Sequence, residues 1–528
     1  MKRLIYAMIL APLFLTGCME DKGTYDYLPV NKVTISRLDN EQGEAIGNIT
    51  VATMSILKLT PVMSESVPGT GDEYRYRWYI YQKGVSNSKE MTISEERDLE
   101  WAVATSPGKY EVRYVVTNAK TEVSSYYSFE MTVVKDNVGT LMIASNVDGK
   151  ANLTVMKPDG TWVSDIYEKA NGYAAGSNAV VVVNARQFQS EAVNNSIILC
   201  DDGEGGAFFN NESFEMRSAY RDIFYEAPQV IKPQGFFRGF VAYGTGDQLE
   251  LLINDGKIHY RLATKVASGA KFSPAFEGDY YMHPCGSAGW GTNLFYDNKN
   301  YRFWVVSANI SEVYEEYRIK LQSAYLYGRY AYDANRIAAF NPDDVGLKMI
   351  YFSVPLINWE DIGYAIMCDP ADPSKLYRLS FFGGGLQEPT SSFGSNYWYS
   401  FWKRPIEAQT EIASAKSFTM ARNNPYIYYS SGSRIYMYNA ENDNNRMILD
   451  VATILPGNQV DLVYIQNDDN NAEDPSLNYR LYVAASPEGG AGKCGSIVDV
   501  RLMTNGEYES HTVHSNVVGK VVSMDHQM

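Results

Sequence analysis

The sequence predicts an all-β protein: an immunoglobulin-like β-sandwich followed by a β-propeller of about seven blades. Three observations predict it. From Asn31 to about Lys135 short strands alternate apolar and polar residues around a tryptophan. After Lys135 the texture changes, and short strands recur between turns rich in Asn, Asp and Gly. Helical periodicity is scarce throughout, with Glu312 to Gln322 the best helix candidate. The 528 residues also exceed one ordinary core, so several domains or a repeat architecture are expected.

The first element is a leader. Lys2 and Arg3 precede the apolar run Leu4 to Leu15, which is too short to span a bilayer, and Leu15-Thr16-Gly17-Cys18 follows. This order predicts a signal peptide over residues 1–17 and acylation at Cys18. The lipid anchor is then the expected membrane contact, since two or more acyl chains hold stably where one does not. No later stretch of the sequence is long and apolar enough to cross a bilayer as a helix. Residues 18–31 read as the lipidated N-terminus and a polar tether. The acidic pair Glu20-Asp21 resembles the surface-export signal of Bacteroidota lipoproteins, which implies an outer-membrane protein facing the cell exterior.

Residues 32–135 form the predicted sandwich. In Tyr74 to Tyr81 the residues Tyr74, Tyr76, Trp78 and Ile80 share one face, with Arg75 and Arg77 on the other. Pro107-Gly108 turns the chain into Tyr110 to Val116, again apolar at every second place. About a hundred residues of such strands around a buried Trp suit the immunoglobulin-like architecture. The run Gly108 to Val112, continuing to Asn118, resembles the penultimate strand of PKD domains. The segment Asp21 to Tyr27 resembles the start of PKD-like lipoproteins of Bacteroidota. The Trp-Asp-Phe-Gly-Asp-Gly signature of ordinary PKD domains is absent, and Arg77-Trp78-Tyr79-Ile80 stands in its place. The resemblance is therefore to the divergent lipoprotein branch.

Residues 136–528 are predicted to form the propeller. Strands are expected at Thr140–Ser145, Ala179–Asn184, Gly239–Tyr243, Phe303–Ser307, Ile362–Asp369, Tyr426–Ser430 and Arg480–Ala484. Partners are expected at Asn152–Met156, Leu249–Ile253, Lys375–Ser380, Arg434–Tyr438 and Ser496–Arg501. This length holds roughly seven units of forty to fifty-five residues. Gly519 to Met524 is expected to pair near Thr140 and close the ring, removing a free sheet edge. The hairpin Ile427 to Tyr436 resembles blade hairpins of the same lipoprotein family. A large two-sheet sandwich is the competing fold.

Charge and cysteines narrow the function. Loss of Lys2 and Arg3 with the leader takes the formal charge from −16 to −18, which repels phosphates and argues against nucleic acid as a partner. Beyond Cys18, the cysteines Cys200, Cys285, Cys368 and Cys494 are scattered without metal-binding spacing; buried free thiols are expected, with disulfides left open.

Catalytic motifs are scarce: HExxH, GxSxG and P-loop patterns do not occur. His511 and His514, three apart in a strand, point to opposite faces, so they are expected to be surface histidines rather than a shared metal site. Lys157 to Trp162 comes nearest to a sialidase box, but Asp159-Gly160 is better read as a tight turn. A glycosidase also needs two carboxylates facing one sugar bond, and 62 acidic residues single out no pair. No cofactor is expected. Calcium stays open at Glu441 to Asn445 and Asn467 to Asn471, although neither loop follows EF-hand spacing and solvated loop tips account for both.

The candidate ligand-binding residues are Tyr397, Trp398, Tyr399 and Trp402. They belong to Asn396 to Arg404, where five aromatics fill six positions. If extended, Trp398 and Trp402 face the same way about 13 Å apart, a spacing suited to pyranose rings or peptide side chains. Packing between blades is the alternative. Tyr325, Tyr327, Tyr330 and Tyr332 form a second aromatic stretch with the same two readings.

The family resemblance implies a role beside SusC/SusD-type uptake systems, pairs of a TonB-dependent transporter and its lipoprotein lid. On that basis the chain is expected to be an accessory subunit holding glycan or oligopeptide cargo at the surface. A hydrolase trimming cargo before import, and a structural or adhesion lipoprotein without cargo, are the alternatives.

Overall fold

Alternation of buried and exposed side chains, read strand by strand, builds two compact units. The computed structural model describes residues 31–53, 55–84, 88–134, 141–157, 160–184, 195–211, 213–240, 248–263, 269–288, 293–310, 317–323, 339–354, 356–357, 360–382, 400–408, 410–422, 424–465 and 479–526. One unit takes in the described residues up to Ile49 with Leu57–Trp101 and Lys109–Thr132; the other comprises Thr50–Ile56, Ala102–Gly108 and the residues from Val133 onward.

The N-terminal strands form two sheets. Val33–Asp39, Ile56–Glu65 and Leu99–Ala102 make a three-stranded sheet. Ile49–Ala52, Ser124–Val134, Gly108–Asn118, Tyr74–Gln82 and Met91–Ser94 make a five-stranded one, in that order. Trp78 is fully buried, its ring centroid 4.3 Å from that of Tyr114, and its indole N–H donates to the Glu96 carbonyl at 3.1 Å. Arg75 and Arg77 stay exposed on the opposite face, as the alternation requires.

The rest is a seven-bladed propeller, counted over the described residues. Blade 1 unites Lys520–His526 with Leu141–Val147, Lys150–Met156 and the short Trp162–Val163. Blade 2 runs from Ala179–Val183 to Met216–Ala219 and blade 3 from Pro233–Phe240 to Lys257–Leu262. Blade 4 runs from Met282–Ala288 to Tyr317–Ser323 and blade 5 from Lys348–Ser353 to Ser400–Pro405. Blade 6 runs from Ser417–Met420 to Asn444–Asp450 and blade 7 from Asn458–Ile465 to Tyr508–Val518. Blade 3 has three regular strands, and its outer edge is met by Ser273 N–H on the Tyr260 carbonyl at 2.8 Å and Phe276 N–H on the Ile258 carbonyl at 3.1 Å.

The apolar core is divided among the gaps between blades. Leu141 and Ile143 pack toward Tyr482, Ala484 and Ile497 of blade 7, while Met142 and Ala144 on the same strand pack toward Ile198 and Phe209 of blade 2. The pleat of one strand thus serves two neighbours. Equivalent clusters fill every other gap in turn: blades 2 and 3 through Phe208 and Phe236, 3 and 4 through Leu251 and Phe295, 4 and 5 through Phe303 and Phe381. Blades 5 and 6 meet through Ile366 and Ile427, and blades 6 and 7 through Tyr428 and Val483. Lys520 to His526 pairs antiparallel with Asn146 to Leu141, which closes the ring as the sequence predicts.

One expectation is corrected. Glu312 to Gln322 is not a helix over its described part: Tyr317–Ser323 is the outer strand of blade 4, pairing Ile310 with Tyr317 through Trp304 with Ser323. Ile319 and Leu321 alternate onto the core between blades 3 and 4, so cross-strand packing overrides the helix-forming Glu and Lys residues around them.

Candidate functional site

Antiparallel pairing within a blade sends its first-to-second and third-to-fourth connections to one end of the ring. The remaining turns and the links between blades emerge at the other. Three of these connections, 185–194, 383–399 and 466–478, lie outside the described residues. Tyr397, Trp398 and Tyr399 belong to the second of these and lie outside the described residues, as do Cys18, the Tyr325 to Tyr332 stretch and Asn467 to Asn471.

Trp402 is described. It stands half-buried opposite Ser380, with the guanidinium carbons of Arg378 and Arg404 at 5.3 Å and 5.4 Å from its ring and Tyr364 at 6.1 Å. The ring packs onto the cluster that joins blades 5 and 6. Arg378 reaches on to blade 6, donating to the carbonyls of Ala440 and Glu441, both at 2.7 Å.

The acidic turn Glu441 to Asn445 is tied into the same junction. Glu441 Oε1 accepts from Tyr364 at 2.8 Å, Asp443 Oδ1 from Tyr438 at 2.7 Å, and Asp443 Oδ2 from the amides of Glu407 and Ala408. Burial would raise the Asp443 carboxyl, but these donors and Arg378 hold it below its ordinary range. Its oxygens are thus engaged by protein donors. Among the described residues no group of three or more His, Cys, Asp and Glu is placed to hold a metal ion. Cys200, Cys285, Cys368 and Cys494 are all free thiols.

The two strand histidines diverge. Exposed His511 accepts or donates with Tyr508 OH at 2.7 Å, whereas half-buried His514 accepts from the Trp162 indole at 3.2 Å across the blade 7–blade 1 junction. Gly160 takes φ 82° and its N–H donates to the Lys157 carbonyl, while Asp159 lies outside the described residues.

Beside His511 lies a pocket of about 200 Å³ lined by Arg480, Asp499, Arg501, Ser510, His511 and Thr512. Register explains five of the six, since His511 stands opposite Val500 on the other face of the sheet. Arg480, Arg501 and Ser510 face one another across three strands, and Tyr482, Asp499 and Thr512 form the next row on the same face. Deeper on that face, Tyr482, Ala484 and Ile497 enter the core shared with blade 1. The pocket is therefore a polar mouth above an apolar gap. Arg480 Nε lies 3.8 Å from Asp499 Oδ1, and Arg480 also hydrogen-bonds Tyr482, so it is held from beneath. Burial pushes the Asp499 carboxyl above its ordinary range, against the opposing charges of Arg480 and His514. Sequence reading reached these strands but not the pocket. The available signal was a pair of charges, Asp499 and Arg501, at alternate places in an otherwise apolar strand.

Residues 18–178 match the model of the PKD-like family. No curated protein matches the sequence. Among solved structures, the chain is similar to a quinonprotein alcohol dehydrogenase-like protein from Bacteroides thetaiotaomicron, with 13% identity and a TM-score of 0.41 over 93% of this chain and 96% of that one. It is also similar to the Cps50 (Swd1) β-propeller domain of Myceliophteria thermophila, with 10% identity and a TM-score of 0.35 over 66% of this chain and 94% of that one. The extracellular domain of a one-component system from B. thetaiotaomicron gives 9% identity and a TM-score of 0.28, over 94% and 68% respectively.

Proposed function

We propose that this chain is a surface-exposed outer-membrane lipoprotein and an accessory cargo-binding subunit of a SusC/SusD-type uptake system. The observation that carries the reading is where the family match starts. It begins at Cys18, the residue that the leader marks for acylation, and continues through the sandwich and Leu141–Val163 of blade 1, ending just before blade 2. In this reading acylation confines the protein to the membrane surface, and confinement raises the effective concentration of cargo, so individually weak contacts suffice. The ring supplies a frame, and the polar pocket on blade 7 supplies a place for a glycan or oligopeptide.

The test is affinity capture of the tagged lipoprotein from gently solubilised outer membranes, with co-purifying proteins identified by mass spectrometry. A TonB-dependent transporter with its lid protein is the expected company. Recovery of the lipoprotein alone, under conditions that keep known transporter complexes intact, overturns the stable-subunit reading.

A further inference from the structure

We infer that the pocket on blade 7 binds a uronic-acid sugar residue, whose carboxylate is taken by Arg480 and Arg501. The argument starts from an electrostatic oddity. Two arginines stand directly opposite each other on neighbouring strands of one face. Like charges so placed repel, and a cross-strand pair of opposite sign is the stabilising arrangement. Asp499 relieves this only in part, at 3.8 Å from Arg480 and with its own carboxyl largely withdrawn from water. Glu509 sits at the rim, 2.9 Å from Arg501 Nε. A ligand carboxylate placed between the two guanidinium forks meets planar donors that match its own geometry.

The other lining groups specify what the carboxylate is attached to. Asp499 is an acceptor, and the Ser510 and Thr512 hydroxyls both donate and accept. Together they match a ring bearing several hydroxyl groups, not an alkyl chain. The volume of about 200 Å³ suits one such ring and leaves the rest of an oligosaccharide outside. Tyr482 and Asp499 already hold Arg480, so little side-chain freedom is lost on binding. On a chain of formal charge −16, two arginines matched by Asp499 and Glu509 make a locally neutral mouth, where an anionic ligand is repelled less than elsewhere.

This assignment deepens the cargo-binding reading and rests on it for its biological sense, but the two fail separately. Sugar binding is measured on the purified full chain, with no transporter present. Titration calorimetry with galacturonate, its dimer, galactose and a neutral dipeptide separates the ligand classes. Saturable binding of galacturonate is expected, with galactose weaker by about tenfold or more because it lacks the charged acceptor. The dimer is expected to bind at least as well as the monomer. Arg501→Ala, at a largely exposed side chain, should weaken galacturonate by about tenfold while circular dichroism and the melting temperature stay unchanged. Ser510→Ala gives an independent variant where Arg480→Ala fails to fold. Three results overturn the inference: no saturable uronate binding, binding indifferent to Arg501→Ala and Ser510→Ala, or a dipeptide that binds as well as galacturonate.

Discussion

Arg238 donates its Nε–H to Glu250 Oε1 at 3.0 Å, with both side chains almost wholly out of water. Arg261 takes the other carboxylate oxygen, so one anion bridges two cations in a single row across the three strands of blade 3. Arg238 also donates to the carbonyls of Asn184 and Asn195, at 2.8 Å and 2.6 Å, in blade 2. Arg261 lies 4.9 Å from the Phe208 ring and 4.5 Å from that of Phe272. The row adds charged contacts to the apolar cluster that already joins the two blades. Removing Glu250 strands two buried cations, so Glu250→Ala should cost about 3–5 kcal/mol, read by denaturant unfolding. Replacing all three residues by apolar ones of similar volume should recover much of that loss. If the single variant unfolds at the wild-type midpoint, the bridge contributes nothing.

Stability should depend on pH in two opposing ways. Burial works against ionisation of Glu250, but Arg261 and Arg238 outweigh it and hold the carboxyl below its ordinary value of 4.5. Its contribution is complete above that value and is lost as pH falls through the lower folded value. Asp461 runs the other way: burial lifts it above 3.8, although Ser486, Lys520 and Lys416 partly compensate. Its contribution is present below 3.8 and lost as pH rises through the folded value. Asp461→Asn should therefore gain relative to wild type at pH 7, and the gain should shrink toward pH 4. Unfolding curves at both pH values check this; a difference that grows on acidification contradicts the assignment.

Gly206 offers a backbone test. It holds φ 93°, and a Cβ there would meet the Ile198 carbonyl oxygen at 2.1 Å. Backbone on the paired strand cannot swing aside as a side-chain tip can. Gly206→Ala should cost about 2 kcal/mol or more, whereas Gly203→Ala, with open space and a similar φ, bears only the conformational part. Parallel thermal melts distinguish the two; equal losses would falsify the steric account.

Trp402→Ala separates packing from binding. The half-buried ring sits between Arg378 and Arg404 on the blade 5–blade 6 cluster, so its loss should cost about 2 kcal/mol in unfolding experiments. Galacturonate affinity at blade 7 should be unaffected. A variant with wild-type stability but weakened glycan or peptide binding would return Trp402 to a ligand-contacting role.

Strand identity was legible because alternation is local. Arg480 to Ala484 and Ser496 to Arg501 are marked as strands from sequence, and Gly519 to Met524 as the one that closes the ring. The helix reading at Glu312 to Gln322 failed where local propensity and cross-strand packing disagreed. Side-chain partnerships were illegible for a different reason. Arg238, Glu250 and Arg261 meet only once the register of three strands is fixed, and so do Arg480, Asp499 and Ser510. Register depends on turns and on the packing of both faces, which no single stretch of sequence contains.

Blade 1 also has a history in time. Every chain is made from its N-terminus onward, so Leu141–Val147 is available long before Lys520–His526, the strand that completes its sheet. Until that last partner arrives, Leu141–Val147 presents one bare edge and an unfilled gap toward blade 7. The ring therefore closes only once Lys520–His526 has been delivered. A chain that stops before Lys520 is left without the clasp, and Leu141–Val147 keeps its bare edge.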